Sequence, residues 1–415
     1  MSILYYLVIK CYGLLILLAS PFNTKAGKWV SGRANWYYNL RSALKNAGDK
    51  RIHFHCPSLG EFEQGKPVLE LIRKNYPDHF IILTFFSPSG FEIRKNEKLA
   101  NHICYLPLDG PLNSQRFIKL VNPEFAIFVK YDFWHFFIRS YHSHKIPLLF
   151  ISSKFRASQL YFKAYGKFYR KILKRVNHFF VQDQVSLELL YEFGIPHVTV
   201  SGDTRFDKVQ KNFEAASSNF IVKKFKGDKK IFIAGSTWPV DEREFNSILS
   251  SLGSGWRMII APHEIGTSRV RKLKEQFGDK AIKYSEWNTD DQNRQVLIID
   301  NIGLLSSIYQ YAEIAYIGGG FGKGIHNILE AAVFGIPIII GPKFKKFKEA
   351  NDLIAAGGAF SITSTSQLHD MVNNLVIDQS LYSKASQTNK EYIEKNRGAS
   401  KIVLEYIKLN FEDTY

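Results

Sequence analysis

Glu61 ends the run Pro57-Ser58-Leu59-Gly60-Glu61, directly after an apolar stretch, Ile52–Cys56, that carries His53 and His55 on one face. A carboxylate placed where a strand gives way to a helix is stabilised as an anion by the helix N-terminus. Within hydrogen-bond reach of an alcohol, such a group can act as general base. Ser58 and Glu61 also have capping-box spacing, so the same acid has a purely structural use. A second cluster lies between Ile317 and Pro342, where Gly318, Gly319, Gly320, Gly322 and Gly324 put five glycines within seven residues. Glycine lets backbone approach a ligand closely, and a helix expected from about Asn327 would add unpaired N–H groups for an anion. His326, Asn327 and Glu330 are the polar residues at its mouth, and Glu330 suits a ribose diol. The run lacks the Gly-Lys-Ser/Thr ending of a P-loop and the glycine spacing of a dinucleotide fingerprint.

Weaker candidates recur at the ends of other apolar runs. Ser236 and Thr237 offer hydroxyl and N–H groups to a phosphate, and His263 offers a ring donor. Ser87-Pro-Ser-Gly90 reads as a loop over the same opening as Glu61, and Asp132, in Lys130-Tyr-Asp-Phe-Trp134, as a second acid there or a helix N-cap. His53 and His55 could form a metal pair, but no third ligand is evident nearby, so no metal is expected.

These residues need a scaffold that gathers strand ends. From Arg51 onward short apolar runs alternate with helical patterns: Ile52–Cys56, Phe80–Thr84, Ile103–Leu106, Phe125–Val129, Leu148–Ile151 and Phe179–Val181. A second series follows at Ile231–Ala234, Met258–Ala261, Val296–Ile299, Ile314–Ile317 and Ile336–Ile340. This order predicts an α/β protein of two doubly wound, Rossmann-like domains with parallel sheets, binding ligands at the carboxyl ends of the strands. The polar stretch Lys208–Asp228 marks the boundary and gives three parts: residues 1–22, 23–207 and 208–415.

The first part is apolar from Ile3 to Ala19, with Lys10 its only charge. At ~1.5 Å per residue its reach is about 26 Å, just short of a ~30 Å hydrocarbon core. It reads as a membrane anchor, spanning or lying in the interface; Ser20-Pro21 is no cleavage site. Lys25, Lys28 and Arg33 follow, which places the remainder on the cytoplasmic side. Three scattered cysteines give neither a disulfide framework nor zinc spacing. With 55 Lys and Arg against 38 Asp and Glu, the formal charge is +17, which calls for a polyanionic partner. Between Lys154 and Arg175 eight basic residues and no acid are interleaved with aromatics in an expected helix. Base stacking would suit nucleic acid; joined to an apolar anchor, the same surface suits anionic lipid.

Ser58-Leu-Gly-Glu61, the Thr84–Gly90 loop, Tyr131-Asp-Phe-Trp134, Gly202-Asp-Thr-Arg-Phe-Asp207, Gly235-Ser-Thr237, Pro262-His263 and Gly318-Gly-Gly…His326-Asn-Ile-Leu-Glu330 occur in the order found in 3-deoxy-D-manno-octulosonic acid (Kdo) transferases. The chain resembles that family over essentially its whole length. The resemblance implies a GT-B glycosyltransferase fold at the cytoplasmic face of a Gram-negative inner membrane. It also implies inverting transfer of Kdo from CMP-Kdo to a lipid A precursor, without cofactor or metal. By position Glu61 resembles the general base. Gly318, Gly319, Gly320, His326, Asn327 and Glu330 resemble the CMP site, with Ser236, Thr237 and His263 on its phosphate side. Ser58, Gly60, Ser87, Gly90 and Asp132 fall on the acceptor side. Partners are then CMP-Kdo, a lipid A precursor and anionic lipid, and not nucleic acid.

Three positions depart from the family pattern: Lys130 stands where an acid is usual, Pro262-His263-Glu264 lacks the flanking arginines, and Gly320 replaces a serine. Arg269 or Arg271 would then take over the phosphate contact. Rival readings are a UDP-sugar transferase or epimerase of the same fold, and a non-catalytic membrane-surface binding protein.

Overall fold

The computed structural model describes residues 1–411. The chain forms two compact units, Met1–Lys208 joined by the segment from Arg397 onward, and Val209–Asn396.

The first unit is built on a seven-stranded parallel sheet of β1 (Arg51–Cys56), β2 (Phe80–Phe85), β3 (His102–Tyr105), β4 (Phe125–Val129), β5 (Leu148–Ser153), β6 (His178–Val181) and β7 (Val198–Val200). Its order is β3-β2-β1-β4-β5-β6-β7. The strands are apolar on both faces because helices cover both, as parallel sheets require. Ala126 and Phe128 of β4 enter one core cluster, while Ile127 and Val129 enter the other. The helix Leu59–Asn75 lies close on the sheet at Gly65, where a Cβ would come within 2.8 Å of Val129 and 2.9 Å of Phe54. Strand order reverses between β1 and β4, and a ligand site is expected beyond the ends of those two strands.

The second unit repeats the plan with β8 (Lys230–Thr237), β9 (Trp256–Pro262), β10 (Ala281–Lys283), β11 (Val296–Ile298), β12 (Ile314–Ile317), β13 (Ile338–Ile340) and β14 (Ala359–Ser361). The order is β10-β11-β9-β8-β12-β13-β14, all parallel, so its reversal lies between β8 and β12.

Three expectations need correction. The helix predicted from Asn327 is a single turn, Leu329–Ala332, cut short before Gly335 and Pro337, so it supplies no macrodipole of consequence. The stretch Lys154–Arg175 is not one helix: it breaks into the 3-10 turns Leu160–Phe162 and Ala164–Gly166 and the helix Lys167–Leu173. Phe155 and Phe162 are core residues and Tyr161, Phe168 and Tyr169 pack partly buried on that core, while Tyr165 stays exposed, so packing of most of these rings overrides helical spacing. Finally, the chain after Arg397 belongs with the first unit, although a boundary at residue 208 assigns it to the second. Asp207 accepts from Gly398 N at 2.5 Å and Ser400 N at 2.7 Å, and Val403 and Ile407 are buried beside β1.

The N-terminal helix Ser2–Ala19 has a mean hydropathy of 2.0, and 6% of it is buried. It is docked along its length on the first unit. Tyr5 donates to Asp109 at 2.8 Å, Ser2 pairs with His135 at 3.1 Å, Tyr12 packs against Trp29 and Phe86, and Gly13 faces Leu108. Ile3, Leu4, Leu7, Val8, Leu14 and Leu18 stand exposed.

Candidate functional site

In the first unit the β1/β4 edge collects the acidic candidates. Ser58 is the N-cap residue of Leu59–Asn75, but its side chain makes no cap bond to the backbone; its hydroxyl donates to Glu61 Oε2 instead. Lys130 Nζ donates to Glu61 Oε1 at 3.2 Å. Burial pushes the Glu61 carboxyl up, yet the Ser58 hydroxyl and the Lys130 ammonium outweigh it and leave it below the usual range. Glu61 is therefore ionised and aimed, with part of its side chain open to solvent. Lys130 reaches it from a left-handed backbone, φ 64°, an unusual conformation for a residue with a Cβ. A Cβ on Gly60 would meet nothing closer than Ser58 Oγ at 3.8 Å, so the space around it is open.

Ser87 caps the helix Pro88–Arg94, and Ser87 N donates to Pro57 O at 2.8 Å, which ties that loop to the Glu61 turn. Gly90 lets the two turns meet: a Cβ there would lie 2.3 Å from the Phe85 ring. Asp132 follows β4 and accepts from His55 Nε2 at 2.9 Å. Burial raises the Cys56 thiol strongly, and the nearby carboxylates of Glu61, Asp132 and Glu63 add to that rise, which places all three acids around the end of β1. The structure thus brings Ser58, Gly60, Glu61, Ser87, Gly90 and Asp132 to one edge. His53 and His55 hold protein partners, and no cluster suited to a metal ion occurs among the described residues.

The β8/β12 edge of the second unit collects the others. The Gly318 backbone crosses Ser236 and Thr237 so closely that a Cβ would sit 2.4 Å from Ser236 O; a Cβ on Gly320 would sit 2.6 Å from Gly341 N. These glycines are needed for backbone against backbone. Ser236 is left-handed, φ 54°. Thr237 is buried and donates to Glu242 at 2.6 Å, so its hydroxyl is committed inside the protein. Arg269 pairs with the same buried Glu242, and Arg271 lies near Glu275 at 3.7 Å. Arg269 borders a hollow of about 670 Å³ that Ser268 and Lys272 also line. Asn327 donates to Glu330 at 2.9 Å.

Two residues that carry this edge escape a reading of the sequence. Asp241, fully buried, accepts from Trp238 N at 2.8 Å, Gly319 N at 3.1 Å and Tyr316 Oη at 2.6 Å. It pins the glycine run to the β8 loop. In Asp241-Glu-Arg-Glu244 it looks like part of a solvated charge run, and no local signal separates it from its neighbours. Trp238 lies tilted against His263 with centroids 4.8 Å apart, and His263 stacks on His326 at 4.2 Å. Trp238 Nε1 donates to His326 Nε2 at 3.2 Å. Burial holds His326 below its ordinary pKa, with His263 adding to the effect. A neutral His326 that accepts at Nε2 must carry its proton on Nδ1, so that atom is a fixed donor.

Residues 31–208 match the family described as 3-deoxy-D-manno-octulosonic-acid transferase (kdotransferase). The chain is 24% identical to the 3-deoxy-D-manno-octulosonic acid transferase of Haemophilus influenzae, over 97% of this chain and 96% of that one. It is 27% identical to the enzyme of the same name from Aquifex aeolicus, over 86% of this chain and 95% of the other. These matches, over most of the chain, support the Kdo transferase family. Kdo transferases are glycosyltransferases, and the two parallel sheets have the GT-B design. The same fold occurs in the UDP-GlcNAc 2-epimerase of Neisseria meningitidis, with a TM-score of 0.60 at 16% identity over 87% of this chain and all of that one. That of Methanocaldococcus jannaschii gives 0.53 at 14% identity over 86% and 99%.

The effect of Lys130 on Glu61 is measurable. Lys130→Met removes a charge that depresses the Glu61 pKa. An activity that needs ionised Glu61 is lost as pH falls through that pKa, so the acid limb of the rate profile is expected to move to higher pH. A profile that does not move separates Lys130 from the ionisation of Glu61.

Proposed function

We propose that this protein moves Kdo from CMP-Kdo to a lipid A precursor, with inversion at the anomeric carbon, at the cytoplasmic face of the inner membrane. The observation that carries this reading is Glu61, an anion clamped by Ser58 and Lys130 at the strand-order reversal of the first unit. In the proposed reaction a hydroxyl of the acceptor bonds to Glu61 and attacks the anomeric carbon as its proton passes to the carboxylate, while cytidylate leaves. The donor nucleotide rests on the β8/β12 edge, where the His326 Nδ1 donor, Ser236 and the Asp241-pinned glycine run meet its phosphate, and Glu330 and Asn327 meet the ribose. Cytidylate is a good leaving group and calls for little acid assistance, so no cofactor is invoked.

The docked helix Ser2–Ala19 supports a protein that lies on the bilayer. A helix fastened to a folded domain at both Ser2–Tyr5 and Tyr12–Gly13 presents only its outer side to lipid, sunk in the interfacial plane. The triple variant Leu7→Ser, Leu14→Ser, Leu18→Ser is expected to lose at least about tenfold in partition onto anionic vesicles, since each buried leucine contributes roughly 1.5–3 kcal/mol. Unchanged vesicle sedimentation removes this ridge from membrane attachment.

The likeness to UDP-GlcNAc 2-epimerases keeps a uridine-nucleotide reading alive. Titration of the protein with CMP and with UDP decides the nucleotide. CMP is expected to bind and UDP to compete weakly; preference for UDP overturns the donor proposed here.

A further inference from the structure

Behind Asp132 a buried line of polar groups crosses the first sheet. Tyr141 Oη meets His53 Nδ1; His53 Nε2 lies 2.8 Å from Thr84 Oγ1; Thr84 Oγ1 lies 2.8 Å from His55 Nδ1; His55 Nε2 lies 2.9 Å from Asp132 Oδ2. Tyr141, His53, Thr84 and His55 are fully buried, and Asp132 alone has its side chain partly open, at 19%. Asp132 Oδ1 accepts no hydrogen bond from the protein among the described residues.

The positions of the protons follow from counting donors. An ionised Asp132 only accepts, so His55 carries hydrogen on Nε2. A neutral His55 then has a bare Nδ1, which takes the single Thr84 hydroxyl proton. Thr84 can accept only from His53 Nε2–H, and the bare Nδ1 of His53 takes the Tyr141 proton. Every donor points the same way. With Asp132 ionised, the other complete arrangement makes His55 a cation and reverses the upper bonds, which puts a charge inside the sheet that Asp132 alone offsets. Burial, with His55 next in effect, keeps His53 far below its ordinary pKa, in keeping with a neutral His53 ring.

We propose that Tyr141, His53, Thr84 and His55 form a one-way chain of hydrogen-bond donors that holds the Asp132 carboxylate aimed, with Oδ1 free to accept from a hydroxyl of the sugar substrate. His55 is the positioning residue, and Asp132 is the group that meets substrate. The role for Oδ1 rests on the proposed transfer to a hydroxyl-bearing acceptor. The chain divides labour between two acids at one edge: Glu61, beside an ammonium, takes the proton, and Asp132, fed by neutral donors, orients the substrate. Aligned bonds of this kind polarise one another, so a break at one link is felt at the end.

The chain is read directly by ¹⁵N NMR of the full-length protein labelled at histidine, at neutral pH. The expected result is His53 and His55 both neutral and both protonated at Nε2. A cationic His55, or a His53 protonated at Nδ1, overturns the proposal. In the transfer assay Thr84→Val, which keeps shape and cuts the chain, is expected to lower kcat about 10- to 100-fold, the loss seen when partners that orient metal ligands are removed. KM for the donor should stay unchanged and Thr84→Ser should restore kcat. An unchanged kcat in Thr84→Val overturns the proposal; should that variant not fold, the wild-type tautomers and the Thr84→Ser rate still decide. The nitrogen signals do not depend on the identity of the donor. The expected tautomers in a protein that fails to transfer Kdo would therefore leave the chain standing and remove the transfer reading.

Discussion

Glu61→Gln is expected to reduce Kdo transfer by about 10²–10⁴-fold, the usual contribution of a general base, while CMP binding stays within a factor of about two. The substitution keeps the size of the side chain and its bond with Ser58, but an amide cannot take a proton from the acceptor. Lys130 loses its counter-charge and turns to solvent, so the fold should tolerate the change. The proposed nucleotide edge is built from β8, β12 and their loops, which lie in the second unit. The loss therefore belongs in kcat. Transfer at the wild-type rate in this variant removes Glu61 as base, and a parallel loss of CMP affinity points to a structural role.

Asp241→Ala has the second large expected effect, on stability and donor binding together. It strips the shared acceptor from Gly319 N and Tyr316 Oη, both buried, and from the part-buried Trp238 N. An unmet buried donor costs about 1–3 kcal/mol, so a loss of roughly 3–5 kcal/mol is expected in urea unfolding. Release of Gly319 also unpins the glycine run, and CMP affinity should fall by at least about tenfold. Asp241→Asn, which retains one acceptor oxygen, should fall between. A variant as stable as wild type with full CMP affinity shows that the run is held by backbone contacts alone.

The architecture was open to reading because a parallel sheet covered on both faces writes itself as apolar runs separated by helical patterns. Eleven expected runs are strands. The unforeseen strands β7, β10 and β14 are edges of three residues each, Val-Thr-Val, Ala-Ile-Lys and Ala-Phe-Ser, too short and too polar for any period to register. Candidate residues at strand ends were legible for the same reason: position after a run predicts place on the edge. Their partners were not. Whether Thr237 offers its hydroxyl to a ligand or to Glu242 depends on a residue folded back beneath it. Asp241 differs from the other acids of its run only by a burial that tertiary packing decides. His53 and His55 were visible as a same-face pair, but Thr84, which links them, comes from the neighbouring strand. The helix expected after Asn327 failed because Gly335 and Pro337 stop it after one turn, a local signal that the apolar spacing obscured.

The central claim is that Glu61 and the nucleotide edge together transfer Kdo, and one measurement meets it head-on. The purified full-length protein is incubated with CMP-Kdo and a lipid A precursor in anionic vesicles, and the lipid is analysed by mass spectrometry. The account predicts lipid heavier by one or more Kdo residues, with CMP released in equal number. Unmodified lipid beside intact CMP-Kdo, from a protein that is folded and bound to the vesicles, would contradict it.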